Sequence, residues 1–346
     1  MINRIKKSFI CADVNDYRID ETLASSYIPQ VADVAIFEVL IIGKHTSIQS
    51  DTKRNVKLMP GDWIMATFGT RYATDQFEGY VPTTIQEEYH ILGAGGTIGT
   101  VATVHERFSL IGPTILRLIG YAVNSTGSII NTKKLKADQL HEFSGANASR
   151  TKVVLSVGSS MNSGKSTTAA FFVHGLKKKG YKVAFIKLTG TVYTKDCDLA
   201  YDMGADVSID FSDFGFPSTF MCDETELLNL YESLIRKVMP FSPDYVVVEI
   251  ADGLYQRETK MLLTSTRFMT TVDRVVFSAN DSLSAVNGVH ILEDWKIIPS
   301  CLCGVFTMSP LLIQEVKENV SIPVLTLTEV VETCDETLQK GMRIMI

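Results

Sequence analysis

No Cys-x-x-Cys pair occurs among the six cysteines of this 346-residue chain, which removes the usual zinc and dithiol spacings. Cys11, Cys197, Cys222, Cys301, Cys303 and Cys334 are scattered, and scattered thiols fit a reduced compartment. Cys301-Leu302-Cys303 enters an apolar run, where the two-residue period of a strand puts both thiols on one face. The histidines show no metal-ligand spacing either, and His174 reads as structural. No apolar run approaches the ~18 residues of a membrane span. The start, MINRIKKSFICADVNDYR, carries positive charge with no long apolar segment behind it, so no secretory signal is readable. A concentration of Lys and Arg is also missing. The net charge is −6, and neutralising a nucleic-acid backbone takes a basic surface. The one lysine run, Lys177-Lys178-Lys179, closes a predicted helix, where cations favour the negative end. The expectation is a cytoplasmic protein with neither nucleic-acid nor membrane partners.

What is present divides into two kinds of pattern. Length and a 45% hydrophobic content suit two domains, each with its own core. Between about residues 31 and 130, short β-rich runs such as VADVAIFEVLIIG and TILRLIGYAV are broken by Gly, Pro, Asp and Asn. Pro60-Gly61-Asp62 marks a tight turn, and Gly93, Gly95 and Gly96 another turn or a bulge. No long amphipathic helix separates the runs, so a small barrel or sandwich is expected. Residues 1–30 read as irregular or partly helical. The polar stretch Lys136–Thr151 is placed as an exposed domain boundary, giving a β-rich domain over 1–140 and a second domain over 151–346.

From Lys152 onward, apolar strand candidates alternate with helical patterns. The strands are expected at 153–157, 183–188, 207–211, 245–250, 274–278, 304–308 and 323–327, and two of the helices at 165–179 and 224–238. Nearly continuous apolar strands with intervening helices predict an α/β fold with a mainly parallel sheet and helices on both faces. Ligands of such sheets bind at the carboxyl ends of the strands.

The first strand runs into Gly158-Ser159-Ser160-Met161-Asn162-Ser163-Gly164-Lys165-Ser166-Thr167, and a helix follows. A phosphate loop aims backbone N–H groups and a helix N-terminus at anionic oxygens. In that pattern Lys165 reaches the terminal phosphates and Ser166 ligates magnesium. The glycine usual five places before Gly164 is Ser159 here. Gly158 stands one place early, and it is expected to take the unusual backbone angle that leaves the strand.

The stretch GSSMNSGKSTTAAFFVHGLKKKGYKVAFIKLTG resembles the opening of SIMIBI P-loop proteins. It is similar in style to dethiobiotin synthetase, the molybdopterin-guanine-dinucleotide adaptor and the DUF1611 family, in which a Gly-aromatic turn and a second strand ending near Lys follow the helix. Gly180-Tyr181 and Lys187 stand in those places. The resemblance runs from about Lys152 to the C-terminus and leaves the β-rich half uncovered. The early loop lysine of MinD-like ATPases is absent, since Ser160-Met161-Asn162 stands there. The resemblance implies a nucleotide-binding domain; it does not supply a substrate.

Other candidates complete a site. Asp196 and Asp198 open a short helix after the second strand, and Asp198 is preferred as a magnesium ligand or activating carboxylate, with helix capping the alternative. DYVVVEIADG delivers Glu249 to a strand end, where an acid of the Walker B kind meets magnesium, as at the VEG strand end of dethiobiotin synthetase. Asp252 is second for that task. Arg257 could steady phosphate charge, or be a surface arginine. Asn280 falls on the expected base side of the pocket, where turn chemistry would also explain it. The absence of Asn-Lys-x-Asp favours ATP over GTP. In DFSDFGFPSTFMCDE the aromatics suit a lid or a core anchor, and in FGTRYATDQFEGYVP the charged residues suit a ligand surface or an interface. Together these lead to a magnesium- and ATP-dependent enzyme with Lys165, Glu249 and Asp198 as catalytic candidates and Ser166, Glu249 and Asp198 as metal candidates. Its chemistry is phosphoryl transfer to, or ATP-driven ligation of, a small molecule. The alternative is a slow nucleotide-switched adaptor whose switch is Thr189–Asp213. A homodimer is left open.

Overall fold

The computed structural model describes residues 4–340, and the chain forms two compact units. The first comprises 1–140 with 190–194 and 211–221, and the second 141–189, 195–210 and 222–346. The ends of the two expected domains, 1–3 and 341–346, lie outside the described residues. Two short segments from the α/β half of the sequence thus group with the β-rich half.

The first unit contains β1 (Ile5–Lys7), β2 (Arg18–Asp20), β3 (Val34–Ile41), β4 (Ser47–Gln49), β5 (Asn55–Lys57), β6 (Trp63–Phe68), β7 (Arg71–Tyr72), β8 (Phe77–Tyr80), β9 (Tyr89–Gly93), β10 (Thr97–Val104) and β11 (Ile115–Val123). Strands β6, β3, β11, β9 and β10 follow one another, and β10 pairs back onto β6 through Thr97–Thr67 and Ile98–Phe68. The sheet therefore closes into a small barrel, and closure removes free edges. Alternate residues Ala35, Phe37 and Val39 of β3 face one core with Phe68, Tyr89 and Tyr121. The Phe37–Phe68 and Phe68–Tyr89 ring centroids are each 5.4 Å apart. The Pro60-Gly61-Asp62 turn is closed by Asp62 N donating to Met59 O at 3.0 Å, with Gly61 at φ +87°. Residues 4–30 are mostly irregular with 3-10 turns at Phe9–Cys11 and Thr22–Ser25, as expected, and add two three-residue strands, β1 pairing with β6 and β2 with β11. The aromatics of 211–221 serve as a core anchor: Phe211, Phe214 and Phe216 are buried.

The second unit carries β12 (Lys152–Gly158), β13 (Val183–Lys187), β14 (Val207–Asp210), β15 (Tyr245–Glu249), β16 (Arg274–Ser278) and β17 (Cys301–Cys303). All pair in parallel, in the order β14-β13-β15-β12-β16-β17. The helices are α1 (Lys165–Lys178), α2 (Lys195–Asp202), α3 (Glu224–Val238), α4 (Arg257–Thr264), α5 (Thr266–Met269), α6 (Ser282–Asp294), α7 (Pro310–Asn319) and α8 (Leu327–Lys340). Ala169, Phe172, Val173 and Leu176 recur at helical spacing on α1 and bury against Val154, Phe185, Val247 and Val276 of the sheet. Each of the larger three contributes about 1.5–3 kcal/mol by leaving water. A Cβ on Gly175 would lie 2.8 Å from Cys334 Sγ and 2.9 Å from Val331 O, so α1 and α8 touch closely there. Cys301 and Cys303 share a face, with their sulfurs 3.8 Å apart. No helix among the described residues is long and apolar enough to cross a membrane.

Two expected strands are corrected. Residues 304–308 are not extended: Gly304 sits at φ +108°, a short 3-10 turn spans Val305–Met308, and the strand lies earlier, at β17. Residues 323–327 make only a bridge, Leu302–Val324, because Pro323 has no N–H and Thr326 already caps α8 through Glu329. The polar stretch before β12 is also pinned rather than loose. His141 N donates to Ser233 Oγ at 2.8 Å, Phe143 N to Asn229 Oδ1 at 2.9 Å, and Gly145 N to Glu232 Oε2 at 2.8 Å, all on α3.

Candidate functional site

Strand β12 lies between β15 and β16, so the chain order switches direction across the sheet at its carboxyl end. A crevice forms at such a point in α/β sheets. The loop 158–164 occupies it. Ser159 N donates to Ser278 O at 2.9 Å, and Ser163 O accepts from Val305 N at 3.2 Å, so the ends of β16 and β17 hold the loop from one side. On another side Gly253 approaches so closely that a Cβ there would lie 2.3 Å from Ser159 O.

The displaced glycine works differently from the expectation. Gly158 ends β12 in register with Ser278 and does not adopt a left-handed angle. Its value is space, because a Cβ would lie 2.2 Å from Ser163 Oγ and 2.6 Å from Lys165 Cγ. The left-handed positions of the loop are Asn162 at φ +63° and Gly164 at φ +96°. Asn tolerates that region better than most residues, and glycine does so freely.

Lys165 is only 6% exposed. Its Nζ folds back over the loop, donating to Ser160 O at 2.6 Å and lying 3.4 Å from Ser163 Oγ. Burial pushes its pKa down to about 8, with Glu249 and Asp252 pulling it back up and Lys187 lowering it further. Ser166 donates to Glu249 Oε1 at 2.8 Å. Glu249 is 1% exposed, and its Oε2 is buried with no hydrogen-bond partner. A buried carboxylate oxygen left unpaired is costly, so a cation is the natural occupant beside it. Hard cations such as magnesium take a carboxylate and a hydroxyl from protein and fill the remainder from phosphates and water. Ser166 and Glu249 fit that donor set. Among the described residues there is no cluster of three or more His, Cys, Asp or Glu able to form an all-protein cage.

The other expected residues fall as follows. Thr167 is exposed in the first turn of α1, whereas Thr168 is buried and accepts from Ser278 Oγ at 3.1 Å. Asn280 ties the end of β16 to the loop, its Nδ2 donating to Ser160 Oγ at 2.7 Å. Asp196 pairs with Lys187 at the end of β13. Asp198 stands two residues further along α2, and residues two apart on a helix do not face the same way. Arg257 is engaged locally, with Glu258 and with Cys222 O at 2.8 Å. Sequence reasoning overlooked Thr168, Ser278, Gly253 and Gly304. Asp196 was visible but ranked below Asp198, although Lys187 nine residues before it offered a partner.

No family model and no curated protein matches the chain. Among solved structures it is similar to a DUF1611 family protein from Anabaena variabilis, at 12% identity over 58% of this chain and 61% of that one, with a TM-score of 0.41. The chain thus spans less than two thirds of that protein. It is also similar to the signal recognition particle receptor FtsY from Elizabethkingia anophelis in complex with GDP, at 10% identity over 62% and 75% with a TM-score of 0.37. A third is the hydrogenase maturation factor HypB from Archaeoglobus fulgidus, at 11% identity over 60% and 98% with a TM-score of 0.37. The α/β class rests on the strand order and the strand–loop–helix described above, not on these likenesses.

Proposed function

We propose that the second unit binds ATP with magnesium and that the protein transfers the terminal phosphoryl group to, or uses it to drive ligation of, a small molecule. The observation that carries this reading is the pair Ser166–Glu249, with the unpartnered Glu249 oxygen beside a buried lysine. In this reading the amides of 158–164 and the start of α1 cradle the phosphates. Lys165 exchanges its bonds to Ser160 and Ser163 for phosphate oxygens and neutralises charge as the bond to the leaving diphosphate breaks. Ser166 and Glu249 would hold the magnesium, which would supply positive charge against the phosphates, and Asp252 and Asp198 are the further carboxylates proposed for an outer role through water. Asn280 keeps Ser160 in place. A cytoplasmic setting accords with this substrate.

A nucleotide-switched adaptor is the second reading, favoured by one observation. Residues 190–194, inside Thr189–Asp213, follow β13 after Leu188 and Thr189, yet group with the first unit, as does 211–221 after β14. Order and disorder of such segments is a common switching device. The two readings separate in solution: phosphate turnover stimulated by a small molecule supports the enzyme, and stimulation by a protein partner supports the adaptor.

Lys165→Ala tests nucleotide binding directly. Calorimetric titration with ATP and magnesium, with GTP in parallel, should show at least about a tenfold loss, the size of one charge-assisted bond. The melting temperature should hardly change. Unchanged affinity would mean that the loop is not a phosphate site.

The wild type should also show a pH limit. Free Lys165 loses its proton near pH 8, whereas bound phosphate would hold that proton on. ATP affinity should therefore be flat below pH 7 and fall as pH rises through 8 and 9. Lys165→Ala should flatten the curve, and an equal slope in both proteins would remove the lysine from the site.

A further inference from the structure

The second unit holds a cavity of about 630 Å³ at the amino-terminal edge of its sheet. Arg150, Thr151, Lys152, Met239 and Asp244 are among the residues that line it. They stand where β12 and β15 begin, since Lys152 is in register with Tyr245. Strand β12 is seven residues long, so the phosphate loop at its other end is about 20 Å away. Ligands of a parallel sheet bind at the carboxyl ends of its strands. The nucleotide reading therefore leaves this cavity without a role.

Cations dominate its polar wall. Among the described residues no hydrogen bond or ion pair reaches the Arg150 guanidinium, and none joins Lys152 to a carboxylate. Lys152 Nζ donates to Tyr245 Oη at 3.3 Å and lies 5.0 Å from the centroid of that ring. Thr151 stands between the two cations, and its buried hydroxyl has no partner. Buried polar groups are nearly always satisfied, so this wall is short of an acceptor. Asp244 is the one acid lining the cavity, and its Oδ2 already accepts from Lys182 N at 2.8 Å.

The backbone that carries the cations is fixed. Arg150 N donates to Asn147 O at 3.2 Å, Thr151 N to Ala148 O at 3.3 Å, and Lys152 N to Asp244 O at 3.0 Å. Asp244 N donates to Lys182 O at 2.8 Å, and Asn147 Nδ2 to Glu232 Oε1 on α3 at 2.8 Å.

We propose that Arg150 and Lys152 form a binding site for a small molecule carrying a phosphate or carboxylate group, separate from the nucleotide site. The planar guanidinium fork takes two oxygens of such a group, and the ammonium adds a second charge-assisted bond. Met239 offers the ligand's body an apolar contact, and the cavity has the volume of a small-molecule site. Asp244 opposes an anion, which gives the site a sign that can be tested.

The test is calorimetric titration of the full chain, without magnesium, using inorganic phosphate and citrate as probes. Saturable binding of at least one, with a Kd below about 1 mM, is expected. Arg150→Gln and Lys152→Gln should each weaken it about tenfold, the size of one charge-assisted contact. Both side chains are exposed, so these variants fold. Asp244→Asn keeps an oxygen for Lys182 N and removes the opposing charge, so binding should tighten severalfold. Lys165→Ala should change nothing, which separates this site from phosphate held by the loop. Absence of saturable binding by both probes overturns the site. So does binding that Lys165→Ala abolishes and Arg150→Gln spares. A short DNA duplex that binds through Arg150 while neither small probe does would also overturn it, because the partner would then be an extended polyanion.

Discussion

Glu249→Gln should still bind ATP, yet lose the tightening that magnesium provides and at least a hundredfold of turnover. The amide keeps the shape of the side chain, and its oxygen can still accept from Ser166, whose hydroxyl now lies 2.8 Å from Glu249 Oε1. Its nitrogen would replace the oxygen that has no partner in the buried site. A nitrogen bearing two hydrogens cannot ligate a cation, so the charge and the second ligand position disappear together. Removing one preorganised electrostatic group costs roughly 2–4 kcal/mol of transition-state stabilisation, which is the origin of the hundredfold figure. The measurement is a pair of titrations with and without magnesium, alongside single-turnover phosphate release. If magnesium dependence and rate survive, Asp252 or Asp198 holds the metal instead, and the same pair of experiments on Asp252→Asn and Asp198→Asn decides between them. If none of the three matters, phosphate chemistry is not what the site performs, and the adaptor reading takes its place.

The parts of this site that were legible in the sequence are those fixed by local pattern. Lys165 and Ser166 follow a five-residue apolar run and open a helix, and strand–loop–helix spacing alone places them. Glu249 ends the run Tyr245–Val248, so its position at a strand end follows from the period of a buried strand. Long-range placement was not legible. That Glu249 meets Ser166 depends on β15 lying beside β12 in the sheet order, and nothing in either segment states that neighbour. Close approach was equally hidden. Gly253 and Gly304 matter for the atoms that face them from distant parts of the chain, and Gly158 for the side chains of Ser163 and Lys165 that fold back over it, so Gly158 was read as a hinge when it is a gap. The strand expected at 304–308 failed for a related reason: Val305–Met308 is apolar enough for a strand, but the preceding glycine turns the backbone away. In the first unit, the short β-rich runs broken by turn residues announced a small barrel or sandwich, while barrel closure rests on a two-residue pairing of β10 with β6 that has no local signature.

The polar stretch before β12 was the most misleading feature, and Glu232 explains why. Its composition reads as a solvated boundary, yet its donors converge on one acid. The Glu232 carboxylate, on a residue 3% exposed, accepts from Ser144 N at 3.1 Å, Ser144 Oγ at 3.1 Å, Gly145 N at 2.8 Å and Asn147 Nδ2 at 2.8 Å. Removing that acceptor in Glu232→Ala would strand two backbone N–H groups, at a cost of about 3–5 kcal/mol in the stability of the second unit. Glu232→Gln, which can satisfy only part of the set, should cost less. Trp295 lies in this unit and Trp63 in the other, so fluorescence-monitored urea unfolding in a Trp63→Phe background reports the relevant transition. Burial tends to raise the Glu232 pKa, but the bonds from Asn147, Gly145 and Ser144 outweigh it and hold the carboxyl below its ordinary value of 4.5. On acidification the unfolded chain therefore takes up the proton first. The stabilisation should be complete above about pH 5 and shrink as pH falls through 4.5 toward the lower folded value, while Glu232→Gln shows no such loss from this site. The same segment should resist proteolysis in the wild type and become the first cleavage site in Glu232→Ala, because its backbone would lose the bonds that hold it on α3. A wild-type stability and cleavage pattern in Glu232→Ala would mean that the segment is held by its other contacts, those to Ser233 and Asn229, and that the buried acid is dispensable.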